Sequence, residues 1–201
     1  MGLTGEPMVV RLLAVADIHS RTAALRTIQR EVGRHAPDAV ILAGDLTNYG
    51  DAAEIQRVLD AIPGRVLAIP GNLDVPRAFQ AGILKSHAES LVGDGVEIHG
   101  RIIAGLADRS GEFARACEVL VMHEPPRGIL DDIGGGRHIG LPEHLEALQR
   151  LRPKVVLCGH CHESPGVVTQ DAIWVVNCTL GGTGQGALIE LDGPHVQARL
   201  L

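Results

Sequence analysis

The chain has 201 residues, of which 45% are hydrophobic, matching the size and apolar content of one domain, spanning 1–201, with a single sizeable core. Its 18 Lys and Arg against 24 Asp and Glu give a net charge of −6, and Lys85 and Lys154 are the sole lysines, which argues against a basic nucleic-acid footprint. Charged residues at 21% with a mean hydropathy of +0.15 exclude disorder, apolar runs stop short of the ~20 residues that cross a bilayer, and 2% aromatics leave little for base stacking.

Met1-Gly2 fails the myristoylation pattern because Glu6 stands where Ser or Thr is needed. Residues 8–16 are apolar enough for a signal peptide, yet no cationic region precedes them and they run into Asp17 and His19; a buried strand over 9–16 fits better. Leu25, Ile28, Gln29 and Val32 fall at helical spacing within 22–34, and Gly33 with Pro37 punctuates the end of that helix. A strand at 39–43, a helix at 51–62 closed by Pro63-Gly64, and a strand at 66–69 ending in Pro70-Gly71 follow. Residues 97–106 read as a strand or hairpin, and 118–122 as an apolar strand leading into His123. The stretch 124–140, with Pro125-Pro126 and Gly134-Gly135-Gly136, is too long for an ordinary connection and is a candidate functional loop. A helix at 141–151, a buried strand at 154–158, and strands at 166–169, 172–177, 187–191 and 195–200 complete an α/β pattern.

Five of these strands end in polar residues of a particular kind: Asp17-Ile18-His19, Gly44-Asp45, Gly71-Asn72, His123, and Gly159-His160-Cys161-His162. Strand C-termini of an α/β sheet converge on one rim, so these groups are expected to meet there. The i,i+2 spacing of Asp17/His19 and of His160/His162 predicts, for extended backbone, that each pair projects to one side and grips one ion. Glycines ahead of Asp45, Asn72 and His160 predict sharp chain exits. Two Asp, one Asn and four His form a donor set of mixed hardness that suits two Mn, Fe, Zn or Ni ions, manganese favoured, rather than Ca or Mg; Asp45 is the natural bridge between them.

In this order and at these strand ends, Asp-x-His, Gly-Asp, Gly-Asn, a single His and Gly-His-x-His resemble the calcineurin-like metallophosphoesterase family, specifically its small prokaryotic and archaeal phosphodiesterase-like members, from residue 8 to about residue 180. The resemblance implies a four-layer sandwich, two packed mixed β-sheets flanked by helices. It also implies that Asp17, His19, Asp45 and His162 hold one metal and that Asp45, Asn72, His123 and His160 hold the other. Asp45, Asn72 and His123 become the catalytic residues, with a bridging hydroxide attacking phosphorus. Many relatives carry a leaving-group histidine directly after the Gly-Asn pair; this chain has Leu73, which points to a phosphodiesterase over a phosphomonoesterase or nucleotide pyrophosphatase. Relatives also place a His-x-Gly where Arg137 and His138 stand, so Arg137, His138 and Asn72 are expected to face substrate. The substrate is expected to be a small phosphate ester, with neither nucleic acid nor membrane as partner; a homo-oligomer is compatible with the sequence.

Other readings of the same residues remain open at this level. Asp17 and Asp45 could equally be helix caps, Asp74 either orients Asn72 or caps a turn, Asn48 and Asn177 are pocket or turn residues, and His138 is equally a solvated loop residue. Cys158-Gly-His-Cys161 resembles a disulfide-isomerase motif, but a strand precedes it and no helix is predicted to follow; Cys161 is expected to point away from the metals as a small core residue. A scaffold with a degraded metal site is the non-enzymatic alternative. Cys117, Cys158, Cys161 and Cys178 make no disulfide framework and point to a reducing cytoplasm, and His35, His87, His99, His144 and His195 are expected at the surface.

Overall fold

A computed structural model describes residues 8–93, 95–106 and 116–201, and in them each predicted strand forms; the myristoylation reading at Met1, Gly2 and Glu6 lies outside the described residues. In chain order the elements are β1 (Val10–Val15), α1 (Thr22–His35), β2 (Ala39–Ala43), α2 (Ala52–Asp60), β3 (Val66–Ile69), α3 (Pro76–Lys85), β4 (Glu89–Ser90), β5 (Val96–Ile98) and β6 (Arg101–Gly105). They continue with β7 (Val119–Val121), α4 (Pro142–Leu151), β8 (Val155–Cys158), β9 (Gly166–Gln170), β10 (Ile173–Asn177), β11 (Ala187–Asp192) and β12 (His195–Leu200).

The strands form two six-stranded mixed sheets, one ordered β12-β11-β1-β2-β3-β4 and the other β5-β6-β7-β8-β10-β9. β1, β2, β3 and β4 run parallel in the first sheet, as do β6, β7, β8 and β10 in the second, while β11, β12, β5 and β9 pair antiparallel at the flanks. Strand alternation sorts the apolar residues into layers. Leu12, Ala14, Ile41, Leu67 and Ile69 of the first sheet meet Val119, Val121, Val155 and Leu157 of the second in a central core. The opposite face of the first sheet, with Leu13, Val15, Val40 and Leu42, packs on Ile28 of α1, Ile55 and Leu59 of α2 and Phe79 of α3. The outer face of the second, with Leu120, Val156 and Val175, packs on Ala147 and Leu148 of α4. Strands buried on both faces read as continuous apolar runs, which is why β2, β7 and β8 are plain in the sequence.

The sequence reading misses α3 and β4. The buried face of α3 carries little beyond Phe79 and Gly82, so no hydrophobic stripe announces it; Gly82 lets α3 lie close on α2, since a Cβ there would stand 2.6 Å from Cγ2 of Ile55. Neither Asp17 nor Asp45 is a helix cap. Arg21 opens α1 without a side-chain cap, and the carboxylate that caps α2 is Asp51, which accepts from the Glu54 N–H at 2.8 Å. Among the described residues, no helix is long and apolar enough to cross a membrane.

Candidate metal centre

The C-terminal ends of β1, β2, β3, β7 and β8 meet, and backbone hydrogen bonds fasten them to one another. Asp17 N–H donates to Gly44 O at 3.0 Å, His19 N–H to Asp45 O at 3.0 Å, and Gly159 N–H to His123 O at 2.9 Å. The His160 N–H crosses between the sheets to the Asp17 carboxylate at 3.0 Å. The predicted extended backbone at the two paired motifs is not what forms. Asp17, His19, Asp45 and His160 have φ of 61°, 51°, 53° and 66°, in the left-handed region. Asp and His tolerate it better than most side chains, and such backbone costs roughly 1–3 kcal/mol per residue, which is characteristic of sites where function dictates aim.

This change of backbone alters the grouping. Asp17, His19 and His162 bring one ligand atom each within 4.8 Å of one another, and so do Asp17, Asp45 and His123. The two histidines of the last motif therefore separate. His162 Nε2 lies 3.5 Å from Asp17 Oδ1, whereas His160 Nδ1 lies 2.9 Å from Oδ1 of Asn72, the atom that His123 Nε2 also approaches at 2.9 Å. The ring contacts follow the same division: His19 lies edge-to-face on His162 and His123 on His160, with centroids 5.5 and 5.1 Å apart. His160 and His162 thus project to different places, His162 beside Asp17 and His19 and His160 beside Asn72 and His123. Five of the seven predicted ligands make up the two groups, with Asp17 common to both, and Asn72 and His160 adjoin the second through His123.

The donor set fits divalent cations. Asp17 and Asp45 are 0% and 3% exposed, and among the described residues they pair with histidines rather than with Lys or Arg. Burying two carboxylates with so little fixed positive charge is unfavourable unless a cation joins them. His19 Nδ1 is buried without a hydrogen-bond partner, an orphaned polar atom on a residue of the first ligand group. His123 Nδ1 lies 2.8 Å from the carbonyl oxygen of Ala43, so it carries the proton and leaves Nε2 to face Asp45 and Asn72 as a ligand.

Without a cation, protons take up the unbalanced charge. Burial works against a charged His123, but hydrogen bonding to Asp45 and the Asp17 and Asp45 charges prevail and lift its pKa to about 9. Burial resists ionisation of Asp17, but the His162 contact and the His123 charge hold its carboxyl below the ordinary value. His162 is raised by its hydrogen bond to Asp17; His160 is lowered by burial and by the neighbouring His123.

Surrounding residues lock the aim of the ligands. Asp45 Oδ1 accepts the Leu73 N–H at 2.8 Å, which leaves Oδ2 directed at His123 Nε2, 3.4 Å away. Asp74 neither orients Asn72 nor caps a simple turn. Its buried carboxylate accepts from the N–H groups of Leu46, Thr47 and Gly71 and from the Thr47 hydroxyl, at 2.9–3.0 Å, tying the Asp45 loop to the Asn72 loop. The sharp-exit explanation holds for Gly44, at φ 93°, but not for Gly71. Gly71 is small because space is lacking: a Cβ there would lie 2.2 Å from Asp45 Oδ1.

Residues 124–140 pack beside the centre. The Asp132 carbonyl accepts from Ser164 Oγ at 2.6 Å and Cys161 Sγ at 3.4 Å, and Leu141 N–H donates to Pro125 O at 2.9 Å. Arg137 and His138 are exposed on this loop and join neither ligand group, and His138 Nδ1 is 2.6 Å from Asp131 Oδ1. Asn177 is a buried structural residue whose amide donates to Cys161 O at 2.8 Å, and Asn48 is exposed. His144 is corrected from surface to core: it is 1% exposed, with Nδ1 2.7 Å from Glu124 O, because α4 covers the segment that follows His123. The four cysteines are free, and burial pushes the Cys158, Cys161 and Cys178 thiols up, opposite to a redox-active thiolate. Thr47, Thr179 and Asp131, which support the site, are not marked in the sequence; the Gly-Asp and Gly-Asn signals mark the ligands and not the residues that fasten them.

A profile of the family described as calcineurin-like phosphoesterase matches residues 10–164. The human protein named metallophosphoesterase domain-containing protein 1 is 25% identical over 242 residues, covering 94% of this chain and 72% of its own. A Synechococcus protein named "Probable cyclic nucleotide phosphodiesterase" is 25% identical over 197 residues, covering 80% of this chain and 76% of its own. A UPF0046 protein of Caenorhabditis elegans is 33% identical over 76 residues, 37% of this chain but 19% of that protein, so the match spans under a fifth of its length. Among solved structures, TT1561 of Thermus thermophilus shares the fold, with a TM-score of 0.69 at 15% identity over 96% of this chain and 99% of that one.

Proposed function

The chain belongs to the calcineurin-like phosphoesterase family, and from that premise we propose that it is a phosphodiesterase that works with two divalent transition-metal ions, manganese foremost, on a small phosphodiester. The observation that carries the proposal is the pair of adjoining ligand groups, Asp17 with His19 and His162 and Asp17 with Asp45 and His123, which supports two neighbouring cations over one. On the family pattern, in which Asp45 rather than Asp17 is shared, Asp17, His19, Asp45 and His162 would hold the first, and Asp45, Asn72, His123 and His160 the second. Ions held there would supply an acidified water and neutralise charge building on the phosphate.

The residues of the chain do the rest. The Ala43 carbonyl keeps the His123 proton on Nδ1, and the Leu73 N–H fixes Asp45, so both present their remaining atoms without rearrangement. With Oδ1 turned to the two imidazoles, the exposed Asn72 leaves its amide nitrogen to a phosphate oxygen. Arg137, on the adjoining loop, is a cation suited to the substrate anion. Leu73 favours a diester, and so does the name borne by the Synechococcus relative. The net charge of −6 favours a small anion over a polynucleotide, and four free thiols agree with a reducing cytoplasm.

The test compares the manganese-loaded protein on bis-p-nitrophenyl phosphate and on p-nitrophenyl phosphate. Faster turnover of the diester is expected. Equal or faster turnover of the monoester overturns the diester preference, and hydrolysis of neither with any divalent metal overturns the enzymatic reading.

A further inference from the structure

Asp131 and His138 form a buried-carboxylate and exposed-imidazole pair that no ligand group uses. His138 Nδ1 stands 2.6 Å from Asp131 Oδ1, and their side chains are 41% and 1% exposed. The second Asp131 oxygen accepts from the N–H groups of Gly128 and Gly140, both at 3.0 Å, so the carboxylate cannot swing away. Such a carboxylate fixes a proton on Nδ1 and directs Nε2 outward, as the orienting acid does in acid–base pairs of hydrolases.

The loop that carries this pair is anchored to segments that carry the centre. Asp132 and His138 form a β-bridge, and the Asp132 carbonyl is held by Cys161 and Ser164 on either side of His162. Gly140 packs against the carbonyls of Pro125 and Pro126, the residues that follow His123 and Glu124. The loop is thus fastened to both segments that carry the ligands of the second sheet. At the position after Asn72, by contrast, Leu73 has no proton to give.

We propose that His138 is the proton donor to the leaving oxygen, with Asp131 as its positioning residue. The inference rests on the phosphodiesterase reading above. In the step, the attacking hydroxide oxygen forms a bond to phosphorus while the bond from phosphorus to the leaving oxygen breaks, its electron pair remaining on that oxygen. The Nε2 proton of the imidazolium passes to it, giving the alcohol and a neutral imidazole that keeps Nδ1–H on Asp131; solvent returns the proton.

The test uses His138→Gln and Asp131→Asn in the full chain, with bis-p-nitrophenyl phosphate as the good leaving group and 3′,5′-cyclic AMP as the alkoxide one. In His138→Gln, kcat for the cyclic nucleotide falls on the order of 10²-fold further than kcat for the aryl diester, with KM little changed, and Asp131→Asn shifts the same ratio less. Equal losses on both substrates overturn the proposal and leave a loop staple. Failure of the wild-type chain to hydrolyse either substrate overturns it along with the phosphodiesterase reading, whereas wild-type hydrolysis with an unchanged ratio in His138→Gln overturns the donor role alone. A readout independent of turnover is the 15N resonance of His138 Nε2 in the zinc-loaded protein. It shifts on adding inorganic phosphate if the ring faces the substrate; a resonance that does not move overturns the assignment.

Discussion

His123 Nε2 stands 2.9 Å from Asn72 Oδ1 while its Nδ1 stands 2.8 Å from Ala43 O. A ring whose Nδ1 proton is committed to a carbonyl can meet a second oxygen at that distance only by carrying a second proton or by sharing a cation with it. The metal-free protein takes the first course, at a pKa of about 9.

A pH prediction comes directly from this. The folded-state pKa of His123 is above its unfolded value of ~6.5, so its contribution to metal-free stability is fully present below that unfolded value and is lost as pH rises through about 9. Melting temperature in chelator should fall over this window, and manganese affinity should rise across it as the competing proton leaves. Activity limited by loading should decline well before pH 6.5 is reached from above. A chelator melting curve and a manganese affinity that are both flat between pH 6.5 and 9 contradict this.

Asp45→Asn keeps an oxygen for the Leu73 N–H and removes the charge. The fold should survive while manganese content drops from two ions toward one or none, and hydrolysis should fall by on the order of 100-fold or more, beyond what loss of a supporting residue alone produces. Elemental analysis with a steady-state assay checks both, and normal metal content with a near-normal rate contradicts the assigned role.

Asp74→Ala removes one buried carboxylate that accepts from Gly71, Leu46 and Thr47. Leaving those donors unpaired should cost about 3 kcal/mol in chemical denaturation and loosen the loops that aim Asp45 and Asn72. A loss under about 0.5 kcal/mol would show that water replaces the carboxylate without penalty.

Two glycine substitutions should act in opposite directions. Gly33 lies within α1, and a Cβ added there would meet nothing within 4 Å, so Gly33→Ala should stabilise by about 0.5–1 kcal/mol. At Gly71 the Cβ would stand 2.2 Å from Asp45 Oδ1, so Gly71→Ala should destabilise and lower metal content together. Paired thermal melts with metal analysis decide it; Gly71→Ala with unchanged metal content would show that Asp45 has room to yield.

Strands such as β2 and β8 are legible because burial on both faces writes them as unbroken apolar runs, and the ligands are legible because a polar residue directly after such a run is conspicuous. The seven candidate ligands therefore stand out, while the way five of them divide between two groups does not. Partition depends on left-handed backbone at Asp17, His19 and His160, which residue spacing does not encode. The α3 helix escapes notice because Gly82 replaces a hydrophobic side chain where it meets α2; Asp74 is conspicuous but its role is not, because it accepts from the N–H groups of Leu46 and Thr47 in a loop distant in sequence, and Asp131 escapes notice because it sits inside the loop whose N–H groups it holds. His144 looks like a surface residue until α4 is laid over Glu124.

Whether two cations share the rim where the two sheets meet is tested most directly by anomalous scattering from manganese-soaked crystals. Two peaks are expected, one among Asp17, His19 and His162 and the other among Asn72, His123 and His160, with Asp45 alongside. A single peak, or none at saturating manganese, would contradict the dinuclear centre.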